Sequence, residues 1–136
     1  MEYKKIKYSE IGKVKSGKRL PKGELVSEVI SDNKYIRVRD ITSNVINSKE
    51  VQYITDEASD KIKNYRVKEN DIIISVVGTV GAIAEIPKEL DGAYLTENCN
   101  NLLVDETKCL KKYLKHYLIS KIGQEQLVAN TVGSTQ

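Results

Sequence analysis

The chain has 136 residues, 40% hydrophobic and 30% charged, with a net charge of +3, proportions that fit one globular domain with a sizeable core. Two cysteines, Cys99 and Cys109, exclude a disulfide framework, and no apolar run approaches membrane-spanning length. The expectation is a reduced, cytoplasmic chain that does not engage a membrane.

In chain order, Tyr3 to Val14 is predicted as a short strand or turn. It leads into residues 15–23, where two glycines and Pro21 mark a loop. Leu25, Val26, Val29 and Ile30 carry helical spacing, so a brief helix is predicted over 25–30. Tyr35 to Ile41 alternates as a strand, with Ile36 and Val38 on one face and Tyr35, Arg37 and Arg39 on the other. Residues 42–54 read as loop plus an extended piece over 51–54. Thr55 or Asp56 is a cap for a short helix running to about Tyr65.

The most informative stretch is 71–86. Ile72 to Val77 is a nearly unbroken β-branched run, which predicts a strand covered on both faces. Gly78 and Gly81 flank Thr79-Val80 as a tight reversal, and Ala82 to Ile86 is the returning strand. A hairpin tip with so little side chain can approach another molecule closely. Residues 88–95 follow as a loop or edge piece, then Asn101 to Val104 as a strand. Leu110, Tyr113, Leu114, Tyr117 and Leu118 define a helix from Lys108 to Ile122, with Thr107 as cap and Gly123 as stop. A short helix restarts at Gln124 and ends near Asn130. The fold class is α+β, a twisted, mostly β mixed sheet with short helices in one domain over 1–136.

Charge is uneven. Residues 1–23 hold eight basic residues against Glu2 and Glu10, while the remainder holds 14 basic against 17 acidic. A basic edge on a weakly acidic body suits a polyanion, and it also fits a merely solvated terminus. Eight tyrosines with no Phe and no Trp give every aromatic ring a hydroxyl, suited to half-buried or contact positions.

Catalytic and metal chemistry find little support. Cys99, Cys109 and His116 lack any paired ligand spacing, and a lone His116 beside Lys115 offers no triad. The segment 78–81 opens a strand and lacks the Gly-Lys-Ser/Thr ending of a phosphate loop. Nucleic-acid contact is better served. Lys15, Lys18, Arg19 and Lys22 in a Gly/Pro loop fit phosphate binding, which sets register without reading sequence. Tyr35, Arg37 and Arg39 combine a ring with two guanidiniums, and Asn98, Asn100 and Asn101 carry amides of the kind that read adenine. Each pattern also has a bland reading: a solvated face paired to carboxylates, or amides satisfying their own turns.

These segments together resemble a target recognition domain of the specificity (S) subunit of Type I restriction–modification systems. The resemblance rests on the opening from Glu10 to Pro21, the strand from Tyr35 to Ile41, Asp71 to Ser75 with the 78–81 tip, the Leu-Leu-Val strand, the helix around Tyr113 to Ser120, and the terminal Gly133 to Gln136. It implies a non-catalytic reader of one half of a split double-stranded DNA target. Tyr35, Arg37, Arg39, Gly78, Thr79, Asn98 and Asn100 would read bases, and the basic loop would hold phosphates.

The resemblance places S-adenosylmethionine on methyltransferase (M) subunits and ATP with Mg on restriction (R) subunits, leaving this chain without a cofactor. It also implies a fragment of a longer subunit, since a second domain and the long spacer helix are absent. The same domain type occurs fused to methyltransferases in single-chain enzymes. The competing reading is a non-catalytic interaction module that docks a protein through a tyrosine-rich surface.

Overall fold

A computed structural model describes residues 6–77 and 81–134, with side chains through Ala129. Twelve regular elements occur among them: β1 Gly12–Ser16, β2 Lys34–Ile36, β3 Ile41–Thr42, β4 Val45–Ile46, β5 Gln52–Tyr53, α1 Asp56–Lys61, β6 Ile72–Ser75, β7 Ile83–Glu85, β8 Tyr94–Leu95, β9 Cys99–Val104, α2 Lys111–Ile119 and α3 Lys121–Ser134. Single 3₁₀ turns fall at Tyr8–Glu10, Val38–Asp40 and Lys88–Leu90. The α+β class is as expected, although the strands divide among three sheets. An antiparallel sheet runs β1-β9-β6-β7, a smaller mixed one runs β5-β2-β8, and β3 pairs with β4 alone.

The β-branched run explains the middle of the large sheet. In β6, Ile72 and Ile74 pack with Ile83, Leu102 and Leu114 beneath the helices, while Ile73 joins Ile36, Ile86, Leu95 and Cys99 on the opposite face. All of β6 is buried, as its composition predicts for a strand covered on both sides. Each buried isoleucine contributes about 1.5–3 kcal/mol of transfer free energy. A third cluster of Tyr35, Ile54, Ala58, Ile62 and Tyr94 seats α1 against the smaller sheet.

Asp71 fastens the sheet to α2 at the head of β6. One of its carboxylate oxygens accepts from Lys68 N at 2.9 Å and from the buried Asn101 amide at 3.0 Å, and the other pairs with Lys111 Nζ at 3.4 Å. Of the two predicted caps, Thr55 caps α1 by accepting from Ala58 N, but the helix ends at Lys61 and not near Tyr65.

Other expectations are corrected as well. Residues 25–30 form no helix, because Ser27 exchanges both backbone hydrogen bonds with Tyr53 and draws the segment out as a bridge. The strand from Tyr35 stops at Ile36. There Asp40 accepts from Arg37 N at 2.8 Å and folds 38–40 into a 3₁₀ turn. Within 42–54 lies a hairpin, β3–β4, turned through Ser43 and Asn44 at positive φ, and the Asn44 side chain accepts from Ile83 N. Helix α2 begins after Leu110, and Thr107 bonds to Asp105 instead of capping it.

Gly123 does not stop a helix. It is the third residue of α3, which runs past Asn130, and its N–H donates to Ser120 Oγ. Ser120 therefore ends one helix and caps the next. A Cβ at Gly123 would overlap the Tyr117 carbonyl, so the close approach of α2 and α3 requires glycine there.

Candidate nucleic-acid interface

The basic loop is stitched to a segment far away in sequence. Gly17 N donates to Cys99 O at 3.0 Å and Lys18 N to Leu95 O at 2.8 Å, so the chain leaves β1 pressed against residues 95–99. From below, the Tyr35 hydroxyl donates to Lys18 O at 2.8 Å. Leu20 and Val26 pack onto the cluster that holds Tyr35. These contacts turn Arg19 toward Glu97, with Nε 3.3 Å from the carboxylate.

A cleft of about 420 Å³ results, lined by Arg19, Leu25, Arg37, Arg39, Thr96 and Asn98 among others. Three of the predicted cations and one predicted amide, widely separated in sequence, therefore share one concavity. Asp40, 2% exposed, lies behind them with Arg37 Nη2 at 3.6 Å. Burial pushes the Asp40 carboxyl above its usual range, opposed by hydrogen bonding and charge from Arg37 and by the charge of Arg39. Arg37 is only partly exposed, and its buried Nε has no hydrogen-bond partner among the described residues. Arg39 is exposed.

The root of the β6–β7 hairpin adjoins this cleft. Val76 N donates to Asn98 O at 2.9 Å, Ser75 N to Ala82 O at 3.0 Å, and Gly81 N to Ser75 O at 3.0 Å. Gly81 adopts φ +88, and its carbonyl accepts from Gln124 of α3 at 3.0 Å. The expected contacts by Gly78 and Thr79 lie outside the described residues.

Of the other predicted site residues, Tyr35 also lines the cleft, while Lys15, Lys22 and Asn100 are not among its lining residues. Tyr35 is 4% exposed and its hydroxyl is engaged by the loop, and burial raises its hydroxyl pKa. Lys15 donates to Asn64 O and lies over the Tyr65 ring, which Lys18 shares at 5.9 Å. Lys22 is exposed. Asn100 pairs in register with Ser16 and Ile74, on the sheet face of Ile74 and Leu102, and is not among the cleft residues.

Thr96, Glu97, Asp40 and Leu25 belong to the cleft region without having been anticipated as site residues. The polar run 96–100 was the available signal for the first two. The tyrosines form no single surface: Tyr35 and Tyr94 are buried, while Tyr113 is exposed on α2. His116 is exposed, and burial raises the Cys99 thiol to about 12. Among the described residues, no group of three His, Cys, Asp or Glu is placed to hold a metal ion, and no helix is long and apolar enough to cross a membrane.

Comparison with known proteins gives a family. Residues 1–136 match the family described as Type I restriction modification DNA specificity domain. A search of curated proteins finds no match. Among solved structures, the chain is similar to a Type-I restriction-modification system S subunit from M. genitalium, at 16% identity and TM-score 0.55, covering 90% of this chain and 27% of that one. It is also similar to a chain from a structure titled for complex assembly and conformational transition of the type I R-M system. There the identity is 13% and the TM-score 0.61, with 90% of this chain and 29% of that chain covered. At such identities the likeness is one of fold, and the chain spans under a third of either structure's length.

Proposed function

Because the chain belongs to the Type I restriction modification DNA specificity domain family, we propose that it reads one half of a split duplex DNA target through the Arg19–Arg37–Arg39–Asn98 cleft. The domain is non-catalytic: it supplies recognition, and methyltransferase and restriction subunits supply the chemistry with S-adenosylmethionine, ATP and Mg. The single observation that supports this reading is the convergence of three guanidiniums and an amide beside the root of the β6–β7 hairpin.

Guanidinium and amide groups match the edges of guanine and adenine in the major groove. Arg39, exposed at the cleft, is the leading base reader, and Asn98 the leading amide. Arg37 has its charge partly answered by Asp40 and acts mainly by holding the 38–40 turn that presents Arg39. Lys18, Arg19 and Lys22 hold phosphates. Lys15 and Tyr35 support the loop, and Gly78 and Thr79 are assigned to base reading.

The test is a pair of titrations with Arg39→Ala in the full specificity subunit assembled with its methyltransferase partners. Affinity for a selected target duplex should fall on the order of tenfold or more, as for loss of a base contact, with little change on a scrambled duplex. Equal weakening on both would reassign Arg39 to the backbone.

A further inference from the structure

The cleft has one wall without charge. Leu25 is 81% exposed at its rim, and Val29 and Ile30, five residues further at most, are 75% and 81% exposed. Single exposed apolar side chains are ordinary, but three within six residues, the first of them lining a cationic cleft, are not.

The segment is also held in place. Glu24 N donates to Pro21 O at 3.0 Å, and Ser27 exchanges hydrogen bonds of 2.9 Å with Tyr53 in both directions. Val29 N donates to Ser27 Oγ at 3.0 Å, and between the two anchors Val26 turns inward to the core cluster. Leu25 is thus an apolar group fixed in position with nothing over it, next to three guanidiniums.

We infer that Leu25 makes an apolar contact with the C5-methyl group of a thymine in the bound duplex and so adds a specificity element to the cleft. This rests on the recognition reading above. The major-groove edge of DNA offers one strongly apolar feature, the thymine methyl, and guanidiniums cannot distinguish its presence. An aliphatic side chain beside them can. The occupant is DNA and not a protein because the wall is continuous with a cleft whose three arginines outnumber its one lining carboxylate, Glu97. Arg39 is exposed with no ion pair among the described residues, free to answer phosphate or a base edge. Glu24 and Glu28 flank Leu25 in sequence, so the contact is confined to the leucine itself and phosphate is excluded from the segment around it.

The experiment uses the assembled complex and a duplex selected by it from a randomised pool. Each thymine of the selected half-site is replaced in turn by uracil, which removes only the methyl. Wild type should lose about fourfold in affinity at one position, the equivalent of one buried methyl group. Leu25→Ala should bind the thymine duplex more weakly and lose that penalty, while Leu25→Met should retain it.

No penalty at any position, or a penalty unchanged in Leu25→Ala, overturns the inference while leaving recognition intact. Leu25→Ala that disturbs subunit assembly and keeps the uracil penalty identifies a protein contact instead, and also overturns it. Failure of wild type to prefer the selected duplex over a scrambled one removes the recognition reading and this inference together.

Discussion

Gly17 lies so close to Thr96 that a Cβ built on the glycine would overlap the threonine carbonyl oxygen, and the Leu95 carbonyl as well. Both atoms are backbone and cannot swing aside. The loop bearing Lys18 and Arg19 therefore meets the segment bearing Glu97 and Asn98 only because position 17 has no side chain.

Gly17→Ala should cost about 1–3 kcal/mol, as overpacking does when the obstacle is main chain. Urea denaturation measures the loss. DNA affinity in the assembled complex should fall by more than Arg19→Ala alone produces, because the whole loop moves. An alanine variant of unchanged stability would show that the two segments are not in contact.

Lys22 and Arg39 should part company in their salt dependence. Lys22→Ala is expected to weaken binding equally on all sequences and to reduce the slope of log affinity against log salt by about 0.9. Arg39→Ala should change preference more than slope. Filter binding across a salt series separates the two.

Asp71 answers three donors, so its removal should be felt throughout the sheet. Asp71→Ala is expected to cost about 2–4 kcal/mol by leaving the Lys68 N–H and the buried Asn101 amide unsatisfied. Lys111, a quarter exposed, should cost under about 1 kcal/mol when replaced by alanine. Similar losses from both variants would mean that the ion pair, and not the buried hydrogen bonds, carries the effect.

The Asp40 carboxyl has a pKa above its usual 3.8 in the folded state, chiefly through burial. A carboxyl so raised favours the fold fully at pH below 3.8, and that contribution is lost as pH climbs through the folded-state value. Asp40→Asn lacks the titration. Its stability relative to wild type should therefore improve from pH about 3.5 to about 7. The opposite trend in chemical denaturation would place the pairing with Arg37 above burial.

The two thiols should differ in alkylation. Cys99 is buried with its thiol raised to about 12, so it should resist iodoacetamide near pH 8 until the domain unfolds. Cys109 is partly exposed, and although burial raises its thiol too, it should label first. Mass spectrometry of the labelled peptides reads the order.

Local composition made several elements legible. The isoleucines of β6 and the Thr55 cap act through neighbours in sequence, and both were found. What escaped was decided from afar. Helical spacing at 25–30 yielded to backbone bonds between Ser27 and Tyr53, and the alternation from Tyr35 onward yielded to Asp40, whose carboxylate recaptured the Arg37 amide. The Ser43-Asn44 turn lacks the glycine that usually marks a two-residue hairpin.

The candidate site divides the same way. Residue chemistry pointed to Arg19, Arg37, Arg39 and Asn98, and the fold gathers them. Chemistry could not show that the Tyr35 ring, while lining the cleft, also braces the loop through its hydroxyl. Nor could it place Asn100, whose face is set by the pairing of β9 with β6.

Strand β1 has its partner in β9, near the other end of the chain. During synthesis, the first basic residues leave the ribosome long before the strand that must receive them. Until Val104 has emerged, β1 has no neighbour and β6 lacks one of its two, so contacts of such long range assemble late. A nascent chain stopped short of that point carries the arginines but not the concavity, and exposed edges in place of a reader.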